Sequence, residues 1–409
     1  MNNKKINEII SVFINNPVPV AIFRLLNFLK KRRKFKPAKR ILVIKLEGLG
    51  DSIYLSEIIK RLRAKYGYKD KDALKIDILT STQNPIFDIL KEDLDLKGDA
   101  DGSIIAFNPL SVKDYFRVIR LINKNNYDIV FDVTGMPVNI PLMLFFTGAY
   151  RVGFNTLPLR TAIYDKLINL DRGIHIFDNY LNLFAPFFEV RSDKKFMLDS
   201  VLPRNENENA AENKNGNQHE SGFINLVLSS NSGGLMHRKL PFDNSVRLIG
   251  LLLEDFREFD VNLIGGPDDY PYLETITGYF NAAGEQGTKG GMGGGNNLNI
   301  AVKTAVAVKK TENIKEAFLL LKGGYFNICI DSGLMHISSL VNPNTYCLFG
   351  YSDPANSLPF NNIGYFQAKA DCAPCSFYKI TECDNLKCME EIDIERVTCD
   401  IKGKLKRGQ

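Results

Sequence analysis

The chain has 409 residues, of which 44% are hydrophobic and 24% charged, and its formal net charge is +5. This length allows two domains of ordinary size, and the composition is that of a soluble globular protein. No stretch reaches the roughly 18 uninterrupted apolar residues of a membrane-spanning helix. Asn15, Asn16 and Pro17 interrupt the N-terminal apolar stretch, and it lacks a small-residue cleavage site, so we do not expect it to be a signal peptide. The sequence therefore predicts a cytoplasmic protein, with peripheral attachment to the inner face of the membrane left open.

Residues 1–39 form a basic amphipathic segment before the first predicted strand. An apolar stretch from Ile9 to Leu29, predicted to be helical at least after Pro19, is followed by a cluster of lysines and arginines up to Arg40. Such a pattern suits an anionic surface, either a membrane or a nucleic acid. The alternative is a solvated tail, and this is at least as good an interpretation of the second basic group, Lys402 to Arg407.

A strand, a glycine turn and a helix open the first half of the chain. The apolar run Arg40 to Leu46 is typical of a central parallel strand, and it stops at Glu47-Gly48-Leu49-Gly50-Asp51 before a helical pattern. Ile53 stands where a dinucleotide fingerprint needs its third glycine, so a nicotinamide site is disfavoured. Asp51 would project from the carboxyl end of the strand, where open α/β sheets hold their active sites, or would merely cap the helix.

Strand and helix patterns alternate through both halves, which indicates parallel sheets with helices on both faces. We predict an N-terminal domain at 40–202, a flexible linker at 203–222, a C-terminal domain at 223–370 and a cysteine-rich segment with a basic tail at 371–409. The glycine-rich stretch Ala283 to Asn297 has no strand before it, and we predict a second disordered loop there.

A second strand–turn–helix junction lies in the C-terminal half. The run Phe326 to Ile330 reads as a buried strand, and a helical pattern begins at Gly333 after Asp331 and Ser332. A helix N-terminus offers free N–H donors and a partial positive charge, which together suit a phosphate. The alternative is an ordinary capped helix.

Four cysteines lie close together near the C-terminus: Cys372, Cys375, Cys383 and Cys388. This spacing in a cytosolic chain suggests a structural zinc site more than disulfides. Metal binding is one hypothesis, a structural role in pinning the C-terminal segment is the favoured interpretation, and no cofactor is expected to be required.

The ordered succession of motifs resembles glycosyltransferase family 9, the lipopolysaccharide heptosyltransferases. The resemblance covers roughly residues 40 to 400, apart from the two low-complexity stretches. The motifs that carry it are 41–46 with 48–51, 131–135, 151–154, Arg238-Lys239-Leu240-Pro241, 263–267, 331–336, 348–354 and the cysteine segment.

The resemblance implies a GT-B fold, with two Rossmann-like doubly wound parallel-sheet domains and an active site in the cleft between them. It implies inverting transfer of a sugar, commonly heptose from ADP-heptose, to the lipid A–Kdo core, without an essential metal ion. Asp51 matches the catalytic aspartate, with Gly48 and Gly50 in the acceptor-side loop. The donor-binding positions are Arg238, Lys239, Gly265, Gly266, Asp268, Asp331, Ser332, Gly333 and His336.

Two departures and several alternatives remain at this point. Arg238 stands where the family has its phosphate-contacting lysine, Lys239 takes the variable place, and Leu240 replaces a tryptophan, so either cation can serve. The sugar is not fixed by the motifs, and a family 9 enzyme that uses another nucleotide-sugar for O-antigen or another glycolipid is the main alternative. A nicotinamide-dependent oxidoreductase and a nucleic-acid-binding module are disfavoured.

Overall fold

The computed structural model describes residues 17–29, 37–67, 73–91, 94, 102–134, 139–194, 222–230, 238–286, 305–375 and 387–407. The chain divides into two compact units, unit 1 at Met1–Asp193 and unit 2 at Lys194–Gln409. The predicted linker at 203–222 lies outside the described residues except for Gly222, and the predicted domain boundaries stay predictions.

Unit 1 is built on a sheet of six parallel strands in the order β3-β2-β1-β4-β5-β6. Its elements in chain order are α1 (Pro17–Leu29), β1 (Arg40–Ile44), α2 (Leu49–Tyr66), β2 (Lys75–Ser81), α3 (Ile86–Ile89), β3 (Ile104–Phe107), α4 (Val112–Asn125), β4 (Ile129–Asp132), α5 (Asn139–Phe145), β5 (Tyr150–Phe154), α6 (Pro158–Ile163), β6 (Lys166–Ile168) and α7 (Ile176–Phe184).

Unit 2 repeats this order of strands as β9-β8-β7-β10-β11-β12, again all parallel. Its elements are β7 (Phe223–Val227), α8 (Phe242–Asp255), β8 (Asp260–Ile264), a 3₁₀ turn (Pro267–Asp269), α9 (Tyr270–Gln286), β9 (Val306–Lys309), α10 (Ile314–Gly323), β10 (Asn327–Ile330), α11 (Gly333–Val341), β11 (Thr345–Phe349), α12 (Pro354–Ser357), β12 (Gly364–Gln367), α13 (Lys387–Glu390) and α14 (Ile394–Arg407).

Each sheet has one point at which the strand order reverses, between β1 and β4 in unit 1 and between β7 and β10 in unit 2. The four central strands are apolar and buried on both faces, as parallel strands covered by helices must be. Ligands of doubly wound sheets bind outside the carboxyl ends of the strands at such a reversal. The predicted fold class, two Rossmann-like parallel sheets, is confirmed.

Two segments differ from the sequence prediction. Helix α9 continues to Gln286, so the loop predicted from Ala283 is wrong for residues 283–286, while 287–297 lie outside the described residues. The basic tail is part of α14, which buries Val397 and Ile401 against unit 2 and places Lys402 Nζ 2.7 Å from Asp255 Oδ1. Apolar side chains one helical turn apart give α14 a buried face, and its lysines border that face.

Helix α1 packs on unit 1 and begins at Pro17, and it includes the residues after Pro19 that were predicted to be helical. Val20 is buried in the core, and the ring of Phe23 meets that of Phe145 edge-on, with 5.0 Å between centroids. The Arg151 side chain donates a hydrogen bond to Asn27 Oδ1. Within the described ranges, no helix combines the length and the apolar character that crossing a bilayer would require.

Candidate functional site

The glycine turn after β1 holds Asp51 at the carboxyl edge of the unit 1 sheet. Gly48 precedes α2 with a φ of +84°, a conformation that L side chains rarely adopt. A Cβ at this position would also lie 3.2 Å from Asp51 Oδ2. Gly50 is buried in the first turn of α2, and the side chain of Asp51 is 45% exposed. The turn therefore needs glycine at residue 48, and the carboxylate beside it is accessible to solvent.

A buried lysine holds the inner side of this carboxylate. Lys45 follows β1 with a side chain that is 7% exposed, and its Nζ lies 3.1 Å from Asp51 Oδ2 and 3.0 Å from the Tyr180 hydroxyl. Burial alone would lower the pKa of Lys45, but Asp51 and Tyr180 raise it above its ordinary value. The ammonium group therefore stays charged, and it places a fixed positive charge beside Asp51.

The end of β4, the strand beside β1, carries a buried ion pair and not an exposed carboxylate like that of Asp51. Asp132 ends β4, and its Oδ2 lies 3.1 Å from Arg160 Nη2, with both side chains fully buried. The same carboxylate accepts the hydroxyl of Tyr164, and Thr134 donates its backbone N–H to it at 3.0 Å. A Cβ on Gly153 would lie 2.6 Å from the Tyr164 ring. These family-motif positions around Asp132 and Gly153 therefore serve packing in unit 1.

In unit 2, three side chains from separate strand ends meet beside the reversal between β7 and β10. Tyr351, after β11, donates its hydroxyl to Asp331 Oδ2 at 3.2 Å. The Arg238 guanidinium carbon lies 5.6 Å from the centroid of the Tyr351 ring. Burial and Asp331 raise the pKa of Tyr351, against the opposing effect of Arg238. The Nε of Arg238 is buried without a hydrogen-bond partner among the described residues.

The second predicted junction has the local structure that its sequence indicates. Helix α11 begins at Gly333, and Ser332 caps it by accepting the Met335 backbone N–H at 3.3 Å. The first N–H groups of a helix have no partner within it, so this terminus can bind an anion. His336 lies one turn into α11 and is buried.

The glycine pair after β8 is held by an aspartate that the sequence prediction did not choose. Asp269 is buried, accepts the Gly266 N–H at 2.9 Å and accepts the Ser229 hydroxyl at 2.7 Å. A Cβ on Gly265 would lie 2.9 Å from the Cβ of Asp269. Asp268, in contrast, is exposed at the start of the 3₁₀ turn, where it faces solvent. A contact from Asp268 to a donor ribose stays a prediction.

Lys239 has different surroundings from those of Arg238. Its Nζ lies 3.8 Å from the centroid of the Tyr272 ring, which is a close cation–π contact. Burial lowers the pKa of Lys239. Residue 239 forms a β-bridge with Ser229, so it too lies at the end of β7. Of the two candidate cations, Arg238 is thus the one grouped with Asp331.

The described cysteines of the predicted zinc site differ in their surroundings. Cys372 is exposed, Cys375 is half-buried and donates its Sγ–H to the Cys372 carbonyl, and Cys388 is buried. Cys383 lies outside the described residues. Among the residues that the structure describes, no three or more His, Cys, Asp or Glu side chains are placed together so that they could hold a metal ion. The zinc site stays a prediction.

Sequence reasoning gave no role to Lys45, Tyr180, Tyr272, Tyr351 or Asp269. One signal was available for Lys45, because a charged residue directly after an apolar central strand must be paired. Tyr351 stands in a quoted family motif. For Tyr180 and Tyr272 the sequence offers no signal, since each belongs to a helix far along the chain from its contacts.

One family model matches the greater part of the chain. Residues 115–382, more than half of the chain, match glycosyltransferase family 9 (heptosyltransferase). No curated protein sequence matches the chain.

Solved structures share the fold at low identity. The glycosyl transferase family 9 from Veillonella parvula DSM 2008 is 19% identical, with a TM-score of 0.64 over 90% of this chain and 98% of that one. The E. coli ADP-heptose lps heptosyltransferase II is 15% identical, with a TM-score of 0.61 over 90% and 99%. E. coli heptosyltransferase WaaC with ADP-2-deoxy-2-fluoro heptose is 14% identical, with a TM-score of 0.58 over 89% and 99%.

The sequence match and the two parallel sheets lead to the same assignment. Each sheet has the strand order of the Rossmann fold, and the GT-B heptosyltransferases share this architecture. The chain belongs to glycosyltransferase family 9 and is a glycosyltransferase.

Proposed function

We propose that this glycosyltransferase transfers heptose from ADP-heptose to a lipopolysaccharide core acceptor with inversion at the anomeric carbon. The Asp51 carboxylate takes the proton of the acceptor hydroxyl while that oxygen forms its bond to the anomeric carbon. The bond from the anomeric carbon to the diphosphate oxygen breaks, and its electron pair leaves with ADP. The observation that carries this proposal is a half-exposed carboxylate at the point where the strand order of the unit 1 sheet reverses, held by a glycine turn and a buried cation.

We assign binding of the diphosphate leaving group to unit 2 because of the positive charges that lie there. A departing nucleoside diphosphate gains negative charge, and fixed cations and N–H donors aimed at it lower the barrier. Arg238 supplies a guanidinium whose buried Nε lacks a partner among the described residues, and the start of α11 supplies N–H groups at Gly333. Lys239 provides a second cation nearby on the same strand end.

The donor and acceptor are proposed from similarity. The E. coli structures of the same fold are an ADP-heptose lps heptosyltransferase and a heptosyltransferase with an ADP-linked fluoroheptose. This supports ADP-heptose as donor and lipopolysaccharide as acceptor, and within it we propose the lipid A–Kdo core that the sequence motifs imply. The alternative within the family is another nucleotide-sugar for O-antigen or another glycolipid, which would use the same two strand-end sites.

Calorimetry with ADP-heptose, UDP-glucose, GDP-mannose and NAD tests the donor. We expect ADP-heptose to bind and Arg238→Met to weaken it at least 10-fold, because a charged hydrogen bond to phosphate contributes about 1.5–3 kcal/mol. Arg247→Met is the matched control, since Arg247 pairs with exposed Glu395 at 2.7 Å on α8 and α14. Tight binding of NAD, or of a different nucleotide-sugar in place of ADP-heptose, would contradict the proposed donor.

We also propose that α1 attaches the enzyme to an anionic membrane surface, where a glycolipid acceptor is found. One side of α1 packs on unit 1, and the other leaves Ile22, Leu25 and Leu26 between 42% and 60% exposed. Lysines and arginines follow directly in the sequence up to Arg40. Exposed apolar side chains beside a basic cluster match the chemistry of an interface rich in anionic lipid.

Vesicle co-sedimentation tests this attachment. Leu25→Gln is expected to lower binding to vesicles that contain phosphatidylglycerol several-fold, because an apolar side chain would no longer enter the interface. Leu319→Gln, which changes a similarly exposed leucine on α10 of unit 2, is expected to leave binding unchanged. Equal binding by the wild type and the Leu25→Gln variant would rule out α1 as the attachment site.

A further inference from the structure

We propose that Lys45 and Tyr180 position Asp51 and set the pH range over which it is ionised. This inference rests on the proposed role of Asp51 as general base and adds two residues to that site. Lys45 comes from the end of β1 and Tyr180 from α7, so two separate elements of unit 1 hold one carboxylate.

Lys45 donates hydrogen bonds to both of the other side chains. Lys45 Nζ donates to Asp51 Oδ2 at 3.1 Å and to the Tyr180 oxygen at 3.0 Å. The same ammonium also lies over the Tyr180 ring, 5.6 Å from its centroid. Tyr180 therefore holds the ammonium beside the carboxylate, and the charge of Lys45 favours the ionised form of Asp51.

Burial makes the pairing obligatory for Lys45. Its side chain is 7% exposed, so its charge depends on Asp51 and Tyr180 rather than on water. A buried ammonium is also poorly screened, so it acts on Asp51 more strongly than a surface lysine would. Asp51 itself is 45% exposed, so solvent reaches its carboxylate.

The helices that pack against α2 carry other titratable groups. Asp88 on α3 is exposed, and His175 and Asp178 lie at the start of α7. His175 Nδ1 accepts the Phe177 N–H at 3.1 Å, and its ring meets Tyr54 edge-on at 4.8 Å. The ammonium of Lys45 is in direct contact with Asp51, and we assign the pH effect to it.

The experiment is an NMR titration that follows the carboxyl ¹³C signals of aspartate-labelled full-length protein. The Asp51 signal is identified as the one that is missing from the spectrum of the Asp51→Asn variant. We expect Lys45→Met to raise the pKa of Asp51 by about 1–3 units, since an opposite charge at this distance lowers a carboxyl pKa by that amount. Tyr180→Phe should raise it by less than about 1 unit, and Lys45→Arg should restore the wild-type value. Lys65→Met is the matched control, because Lys65 lies on the exposed side of α2 and pairs with Glu189.

The second readout is the pH dependence of transfer from ADP-heptose to a lipid A–Kdo acceptor. The acid limb of kcat/KM reports the protonation of the base, so it should move to higher pH by the same amount in Lys45→Met. Unchanged Asp51 titration in both Lys45→Met and Tyr180→Phe would overturn the inference. If Asp51→Asn kept full transfer activity while Lys45→Met still raised the pKa of Asp51, Asp51 would not be the general base. The effect of Lys45 on the ionisation of Asp51 would nevertheless be established.

Discussion

Asp51→Asn is expected to lower the transfer rate by about 10²–10⁴-fold, which is the usual contribution of a positioned general base. Asparagine keeps the size of the side chain and an oxygen for Lys45 Nζ, which lies 3.1 Å from Asp51 Oδ2 in the wild type. It has no basic carboxylate, so the proton of the acceptor hydroxyl has no residue to receive it. The loss should therefore appear in kcat, as expected for an interaction made in the transition state.

The matched control is Asp88→Asn, because Asp88 is an exposed aspartate on α3, the helix next to α2 in sequence. Its transfer rate should equal that of the wild type. The donor residues that we propose belong to unit 2, so the calorimetric affinity for ADP-heptose should be unchanged in Asp51→Asn. A variant that keeps wild-type kcat would remove Asp51 from the mechanism, and one that loses donor binding would assign it a different role.

The two strand–turn–helix junctions could be predicted because their signals are local. Gly48 and Gly50 follow an apolar run directly, and a capping serine precedes Gly333, so a window of about ten residues contains the whole pattern. Alternation of such patterns then fixes the parallel sheets, since a crossover helix must follow each strand. The start of α11 at Gly333 was predicted to the residue for this reason.

The contacts that complete each candidate site were beyond sequence reasoning because they join distant parts of the chain. Lys45 and Tyr180 are 135 residues apart, and Arg238 meets Tyr351 only because β7 and β11 end at the same sheet edge. The choice between Asp268 and Asp269 depends on the geometry of a 3₁₀ turn, which directs the second of them inward to Gly266. No spacing rule in the sequence separates two adjacent aspartates.

Helix α9 shows how composition misled the prediction. The glycine content after residue 283 indicated a loop, yet Leu273, Ile276 and Phe280 recur on one face and are buried in unit 2. Burial of that face stabilises the helix. The helix therefore continues through the residues just before the glycine-rich stretch and ends at Gln286. Tertiary packing outweighed local propensity there.

Arg160→Met is expected to destabilise unit 1 by about 3–5 kcal/mol, the cost of removing one partner of a buried ion pair. Asp132 and Arg160 are both fully buried, so the remaining carboxylate would be left in the core without its cation. The hydrogen bonds from Arg160 to the carbonyls of Thr134 and Phe154 would also be lost. Tyr164 and the Thr134 N–H would still contact Asp132, but neutral donors compensate a buried charge less well than a guanidinium.

Urea unfolding followed by circular dichroism measures this effect, since the chain has no tryptophan to report by fluorescence. Arg117→Met is the control, because Arg117 pairs with Asp114 at 2.8 Å on α4 while 46% exposed, and such surface pairs contribute about 0–1 kcal/mol. The double variant Asp132→Asn with Arg160→Met should lose less stability than the two single variants added together, since it leaves no unpaired charge. Strict additivity would show that the pair is not coupled, and that packing alone explains the loss.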